Sequence, residues 1–392
     1  MAREQFVSDV VPRSDFVHSR RSGGVPDAGG VGGGRHRRLM TPSPHTPEFC
    51  VNRPGALIAA LPAVLGFIPE KSLVLATIEG DELGCVLRTD LSLALREGTA
   101  HLAEVAAAAE PHAVIAVIVD ADGADCVQCH EDHAALAEEV AIELASRDIE
   151  LLAVHVVDRI AAGGRWHCAD GCGRNGVVED PYASPLAVAA VLDGRRLYKR
   201  RADLQAVVTA DPVRGEEIAD AIAAAGPRSG RRRLSAVRAD IQAAVTAAAR
   251  LADGRALTVR QQARIAMALT DTRVRDTLYA LAIGETAGQA ESLWAELSRS
   301  LPAPWRVEAL VQLAFSAYVR GDGPLAGIAL DAALRCNPAH RMASMLDTAL
   351  QSGMPPDQVR ELALTGYRQA ERLGVQLPPR RTFGDGFRSA GA

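Results

Sequence analysis

The pattern of apolar and polar positions predicts an α/β fold for the first half of the chain. Several short apolar runs are typical of strands, and some are apolar throughout, as in strands buried on both faces of a sheet. The predicted strands are residues 72–78, 85–89, 113–119 and 149–157. Helical patterns occupy residues 54–64, 99–109 and 131–147. A strand, a helix and a second strand in succession imply a right-handed parallel crossover, and the turn-rich residues 79–82 predict a hairpin.

The second half of the chain carries helical patterns without a convincing strand. They run through residues 213–225, 234–251, 259–269, 273–283 and 289–299. We therefore predict an α/β domain with a mixed sheet over residues 51–210 and an all-α domain over residues 211–380. Between Leu310 and Pro338, small and apolar residues are spaced as in one tetratricopeptide-like helical hairpin, in which small side chains let two helices pack closely. A stable array needs about three such repeats, so we predict one hairpin within an irregular helical domain.

The first fifty residues differ from the rest in composition. They contain a glycine run at residues 29–34, an arginine cluster at residues 35–38 and no periodic apolar pattern. Such a segment cannot bury enough surface to offset the entropy of ordering, so residues 1–50 are predicted to be a disordered tail. The segment also lacks the apolar core of a signal peptide. Met40 precedes the change to apolar composition and is an alternative to Met1 as the start of translation.

Composition adds limits on compartment and function class. The chain has 392 residues, of which 48% are hydrophobic and 23% charged, as in a soluble globular protein. It has no run of about 18 apolar residues, which a membrane helix needs. Its net charge of -5 argues against a chain built as a whole to bind phosphates. Its seven cysteines, without an export signal, predict reduced thiols and a cytoplasmic location.

Three sequence blocks resemble a largely actinobacterial family known as domain of unknown function 4192. The first block reads L-G-F-I-P-E-K-S-L-V at residues 65–74 and R-T-D-L at residues 88–91. The second reads S-P-L-A-V-A-A-V-L-D-G at residues 184–194, and the third combines G-D-G at 321–323, A-L-D-A-A-L at 329–334 and N-P at 337–338. The resemblance runs from about Pro54 to about Leu350. It implies a family without an assigned reaction, so it supplies no catalytic residue.

Two cysteine pairs form a candidate metal site. Cys126 and Cys129 follow one predicted strand, and Cys168 and Cys172 follow another. Four thiolates are a ligand set that tetrahedral structural zinc prefers. We therefore predict a zinc site from these four cysteines, with His130 or His167 as alternative ligands and unliganded cysteines near the surface as the simpler interpretation.

The loop from Asp120 to Cys129 permits two enzymatic interpretations. Cys126 and Cys129 precede a helix, as in thioredoxin-type redox sites, where the helix N-terminus activates the first thiol. Asp120 and Asp122 at a strand end resemble the nucleophile loop of haloacid-dehalogenase-like phosphatases. Ala124 stands where that loop usually has threonine, and the sequence offers no obvious lysine to screen a phosphoryl group. A solvated acidic loop is the simpler interpretation.

Charged residues at strand ends suggest a ligand-binding edge. Arg88 and Asp90 end one predicted strand and Asp120 ends another, so we predict that these three residues bind a ligand, with a structural ion pair or helix cap as the alternative for Arg88 and Asp90. Arginine-rich segments at residues 195–201 and 228–233 suggest nucleic-acid binding as a further alternative. The last segment has no interleaved aromatic residues for base stacking, and surface arginine of a GC-rich genome explains both segments more simply.

These observations favour a non-catalytic binding or scaffolding module in the cytoplasm. The sequence shows no complete nucleophile and base set and no nucleotide-binding loop, and its helical half resembles interaction hairpins. We expect a protein partner to bind the helical domain, and we expect neither nucleic acid nor a membrane as partner. An enzyme would instead have a convergent polar pocket around Arg88, Asp90 and Asp120.

Overall fold

The computed structural model describes residues 9–11, 53–79, 82–93, 99–192, 195–226 and 232–381. Within these residues, seven strands form one mixed sheet in the order β1-β3-β2-β4-β5-β6-β7. The strands are β1 (Asp9–Val11), β2 (Ser72–Glu79), β3 (Glu82–Asp90), β4 (Ala113–Val119), β5 (Glu150–Val157), β6 (Arg165–Cys168) and β7 (Asn175–Val177). The helices of the first half are α1 (Pro54–Leu65), α2 (Leu91–Leu93), α3 (Thr99–Ala107), α4 (Val127–Ala145) and α5 (Pro185–Leu192).

The pairing of the strands confirms the mixed sheet with a hairpin and a crossover. β2 pairs antiparallel with both β3 and β4, and β4 pairs parallel with β5 through the α4 crossover. β5, β6 and β7 continue the sheet in antiparallel steps. The sequence did not predict β6 and β7, because both are short and polar residues interrupt them. Residues 1–50, the predicted tail, lie outside the described residues except at Asp9–Val11, which pair with β3 at the sheet edge.

Helices cover both faces of the sheet. Alternate residues of β2 point to opposite faces, so that Val74 and Ala76 join the apolar core under α1, while Leu73 and Leu75 join the core under α3 and α4. All seven residues of β4 are buried, as expected for a strand covered on both sides. Pro54 begins α1, and Gly66, with a φ of 76°, ends it.

The second half is helical within the described residues. Its helices are α6 (Arg201–Gln205), α7 (Pro212–Ala225), α8 (Leu234–Ala252), α9 (Val259–Leu269), α10 (Thr272–Leu278), α11 (Ala287–Ser300), α12 (Arg306–Val319), α13 (Gly323–Cys336), α14 (Arg341–Gln351) and α15 (Pro356–Leu373). α12 and α13 form a packed helical hairpin at the position of the predicted one. From Ala309 to Val319 every residue of α12 is buried, so this helix is the centre of the helical half.

One apolar core runs through both halves of the chain. It begins under α1, includes Trp166 of β6 and Leu186 of α5, and continues through Trp294 of α11 to Leu373 at the end of α15. The two predicted domains therefore share buried apolar contacts. Among the described helices, none combines the length and the apolar character required for a membrane span.

Candidate functional site

Charged side chains meet at the carboxyl end of β4, next to the start of β2. Because these two strands are antiparallel and Ser72 lies opposite Val119, the residue before β2 meets the residue after β4. Lys71 Nζ lies 2.6 Å from Asp120 Oδ1 and 2.8 Å from Asp122 Oδ2. The phosphatase-like interpretation found no lysine in the sequence that could lie beside these aspartates. Lys71 lies beside both of them, so that expectation was wrong.

Both oxygens of the Asp120 carboxylate are engaged. His133 of α4 is buried, and its Nε2 lies 3.2 Å from Asp120 Oδ2. Burial alone would raise the pKa of Asp120, but hydrogen bonds from Lys71, from the backbone N–H of Gly123 and from His133 lower it overall. The same contacts with Asp120 and Asp122 raise the pKa of Lys71 to about 12. The site is thus an ionised, buried carboxylate held between a lysine and a histidine.

The loop after β4 is closely packed around this carboxylate. The backbone N–H of Ala124 donates to the carbonyl oxygen of Asp120 over 3.0 Å, which closes a tight turn. A Cβ atom at position 123 would lie 2.1 Å from Asp120 Oδ2, so only glycine fits there. The His133 Nδ1 atom is also buried and has no hydrogen-bond partner in the described part of the chain.

Arg88 and Asp90 form a separate cluster on the other face of the sheet. Arg88 is buried, and its Nε donates to Ser72 Oγ over 2.8 Å. Its Nη2 lies 2.5 Å from Asp90 Oδ1, and its guanidinium carbon lies 6.0 Å from the centre of the Phe67 ring. Phe67 belongs to the core under α1, whereas Asp120 faces α4. The predicted ligand-binding residues therefore share an edge of the sheet but face opposite sides of it.

Cys126 and Cys129 lie at the start of α4. The Cys126 side chain makes no capping hydrogen bond to α4. The pKa of Cys126 is nevertheless lowered, first by the backbone N–H and the thiol of Cys129 and then by the N–H of Gln128. The contact with Cys126, followed by burial, raises the pKa of Cys129. One thiol is therefore more acidic than its neighbour, as in C-x-x-C pairs at helix N-termini.

The other cysteine pair belongs to a second group, in the hairpin between β6 and β7. The ligand atoms of Cys168, Asp170 and Cys172 all lie within 4.8 Å of one another. His155 of β5 pairs with Cys168 across the sheet, and its Nδ1 lies 3.6 Å from Cys168 Sγ. Burial raises the pKa of Cys168 to about 11 and lowers that of His155 to about 4.

The four predicted zinc ligands do not form one group within the described residues. The group that the structure forms contains Cys168 and Cys172 but neither Cys126 nor Cys129. The sheet explains the separation, because Cys168 joins the core under α1, whereas Cys126 precedes α4, which covers the opposite face.

Two described arginines of the arginine-rich segments, Arg195 and Arg232, make internal contacts. Arg232 Nη1 lies 3.2 Å from Asp271 Oδ2, and Arg232 also binds the buried Asp240. Arg195 is buried and donates to the carbonyl oxygen of Gly321 over 3.5 Å. Residues 227–231 lie outside the described residues. Arg195 and Arg232 therefore have structural roles.

Sequence reasoning missed four polar residues of these clusters, namely Lys71, His133, His155 and Asp170. A signal was present for Lys71, which is one of only two lysines in the chain and lies within the L-G-F-I-P-E-K-S block. The histidines carry no comparable signal, because each meets its partner through packing between distant segments.

Comparison with known proteins gives a family and no further relative. No curated protein and no solved structure matches this chain. A family model described as a domain of unknown function, DUF4192, matches residues 54–357, which is well over half of the sequence. The chain therefore belongs to the DUF4192 family.

Proposed function

We propose that this protein is a non-catalytic binding module. The observation that supports this best is that neighbouring side chains occupy both oxygens of Asp120, the candidate nucleophile. Asp120 accepts from both Lys71 and His133, and Arg88 donates to Ser72 and Asp90. A carboxylate nucleophile needs an oxygen free to attack its substrate. Here both oxygens hold neighbouring segments together, so the contacts support a structural role for the charged edge.

The cytoplasm is the compartment that suits this module. Cys85, Cys126, Cys129, Cys168, Cys172 and Cys336 are free thiols in the structure. Thiols remain reduced in the cytoplasm, whereas oxidising compartments favour disulfides. A test is the fraction of free thiols in protein extracted from the native host under rapid alkylation; extensive disulfide formation would contradict the proposed location.

The partner in this proposal is a protein that binds the helical half. Four large apolar side chains are exposed among its described residues, namely Val213, Leu234, Met345 and Leu362. We assign the contact to the last two, Met345 on α14 and Leu362 on α15, with exposed fractions of 60% and 43%. Exposed apolar side chains contribute contact area when a partner buries them. The α/β half offers a matched control on α5, where Val188 and Val191 are exposed and lie three residues apart on one helix.

Affinity purification of the tagged, full-length protein from its own host tests this proposal. We expect a specific protein to accompany the wild type and the control Val188→Glu, and to be lost from Met345→Glu or Leu362→Glu. All three positions are exposed, so the substitutions should change stability by no more than about 0.5 kcal/mol. A partner that both helical variants retain, or the repeated absence of any enriched protein, would reject the proposal.

The asymmetric thiol pair supports a second candidate function, a reversible dithiol switch. The Cys126 thiolate would attack glutathione disulfide, forming a mixed disulfide and releasing one glutathione thiolate. The Cys129 thiolate would then attack the Cys126 sulfur and release the second glutathione, so that two electrons pass from the dithiol to glutathione disulfide.

Mass spectrometry after exposure to glutathione disulfide separates these steps. We expect Cys129→Ser to accumulate the mixed disulfide at Cys126, and Cys126→Ser to react much more slowly. The variant Cys336→Ser removes another exposed thiol and is the matched control. If Cys126 reacts no faster than Cys336 in the wild type, the dithiol switch is refuted.

A further inference from the structure

The hairpin between β6 and β7 brings together side chains that suit a soft divalent metal ion. Cys168, Asp170 and Cys172 place two sulfurs and a carboxylate oxygen within 4.8 Å of one another. Zinc binds thiolate sulfur, imidazole nitrogen and carboxylate oxygen, and four such ligands complete a tetrahedral site. The cluster therefore offers three ligands of the types that zinc prefers.

His155 supplies a fourth ligand of the right type next to this cluster. Its Nδ1 lies 3.6 Å from Cys168 Sγ. In a tetrahedral site, Zn–S bonds of about 2.3 Å and Zn–N bonds of about 2.0 Å place sulfur and nitrogen about 3.5 Å apart. The two buried ligands thus already have the separation that a shared zinc ion requires.

The two remaining ligands can complete the tetrahedron by side-chain movement. The group within 4.8 Å does not include His155, so Asp170 and Cys172 must turn toward its imidazole. Both residues are exposed, so core packing does not fix their side chains.

The hairpin backbone and the His155 ring are held in place by their surroundings. Gly171 adopts a φ of 70°, a conformation that favours glycine, and allows the chain to turn tightly between the two cysteines. The backbone N–H of Cys172 donates to Asp170 Oδ1 over 3.0 Å, which leaves the second carboxylate oxygen for a metal. The His155 ring packs edge-on against Trp166, with ring centres 5.0 Å apart. A rigid imidazole beside a short loop is a suitable start for a closed structural site.

We propose that His155, Cys168, Asp170 and Cys172 bind one zinc ion. The ion joins the β6–β7 hairpin to β5 and so fastens the last strands of the sheet. Cys126 and Cys129 take no part, because they lie on the side of the sheet that α4 covers. This site is independent of the partner-binding role proposed above, since it lies in the α/β half.

Metal analysis of the purified full-length protein tests this site. Protein prepared under reducing conditions without a chelator is expected to contain one zinc ion per chain. Replacement by cobalt(II) should give the intense visible bands of tetrahedral coordination and a near-ultraviolet charge-transfer band from thiolate to cobalt. Cobalt alone is then the probe for the variants, and competition with a colorimetric chelator gives the affinity for zinc.

The variants Cys172→Ser and Asp170→Asn alter exposed ligands, so both should fold. Loss of an outer-shell contact weakens metal sites by about 10–100-fold, so we expect loss of the Cys172 thiolate to reduce zinc affinity by about 100-fold or more. Cys126→Ser and Cys129→Ser are matched controls that should keep both the stoichiometry and the cobalt spectrum. Circular dichroism and unfolding curves would confirm that each variant is folded.

Three results would overturn the proposal. The first is reduced, folded wild type that binds neither zinc nor cobalt at one ion per chain. The second is unchanged affinity in Cys172→Ser or in Asp170→Asn, which would remove the assigned ligand set. The third is an equal loss of affinity in Cys126→Ser or Cys129→Ser, which would favour a site built from all four cysteines.

Discussion

Replacing Asp120 by asparagine is expected to destabilise the fold, and the structure allows the magnitude to be estimated. The buried carboxylate accepts hydrogen bonds from both Lys71 and His133. An asparagine has one acceptor oxygen, so its amide group must face one of these donors. A hydrogen bond to a charged group contributes about 1.5–3 kcal/mol, so Asp120→Asn should lower the free energy of unfolding by about 2–3 kcal/mol. Lys71 is half exposed, so most of this loss comes from the buried contact with His133.

Asp122 provides a matched control because it binds the same lysine. Its side chain has an exposed fraction of 84%, compared with 8% for Asp120. An exposed ion pair contributes about 0–1 kcal/mol, so Asp122→Asn should leave stability nearly unchanged. Urea unfolding followed by tryptophan fluorescence measures both variants. If Asp120→Asn loses no more stability than Asp122→Asn, the buried carboxylate is not a stabilising contact and the reasoning fails.

The pH dependence of the same comparison follows from the lowered pKa of Asp120. A carboxyl group with a lower pKa in the folded state binds fewer protons there than in the unfolded chain. The stability that it contributes is therefore present above the unfolded value of about 3.9 and is lost as the pH falls toward the folded value. The difference between the wild type and Asp120→Asn should be constant near neutral pH and shrink below about pH 4. A difference that grows with acidification would contradict this assignment.

The remaining predictions concern the helical half. Gly366→Ala on α15 would place a Cβ atom 2.8 Å from the backbone nitrogen of Ala280, so it should destabilise the fold by about 1–3 kcal/mol. Gly288→Ala on α11 is the control: its Cβ atom would meet nothing within 4 Å, so this variant should be neutral or stabilise the fold by up to about 1 kcal/mol. Equal effects in urea unfolding would refute the close approach. Arg320→Met would leave the partly buried Glu291, now bound at 2.8 Å, without its partner and should cost about 1–3 kcal/mol. A thermal unfolding midpoint unchanged from that of the wild type would refute this.

The sequence predicts those parts of the fold whose cause is local. The run at β4 is apolar at every position, and this pattern alone indicates a strand covered on both faces. The strand order along the chain likewise implies the crossover through α4. In contrast, β6 spans only four residues, Arg165–Cys168, and alternates exposed with buried positions too briefly to give a period. It is a strand because β5 and β7 pair with it.

The candidate sites were only partly predictable, because their partners come from distant segments. Asp120 could be located at a strand end, but its contact with Lys71 depends on the antiparallel pairing of β2 with β4. Similarly, the register between β5 and β6 places His155 opposite Cys168, which no spacing in the sequence reveals. Two cysteine pairs suggest one zinc site because four thiolates are a ligand set that zinc prefers. In the structure, however, Cys126 and Cys168 lie on opposite faces of the sheet.

Polar side chains at the carboxyl edge of the sheet bind neighbouring loops, and these contacts bear on the choice between an enzyme and a binding module. In open α/β sheets, ligands usually bind where the carboxyl ends of parallel strands diverge. Here only β4 and β5 are parallel among the described strands, and the loops that follow them are fastened to their surroundings. Asp158 accepts from the backbone N–H of Arg165 over 2.8 Å, and the Arg165 guanidinium reaches Asp125 at 2.5 Å. These contacts hold both loops at the edge of the sheet, and the proposal of a binding module rests on them together with the occupied carboxylate of Asp120.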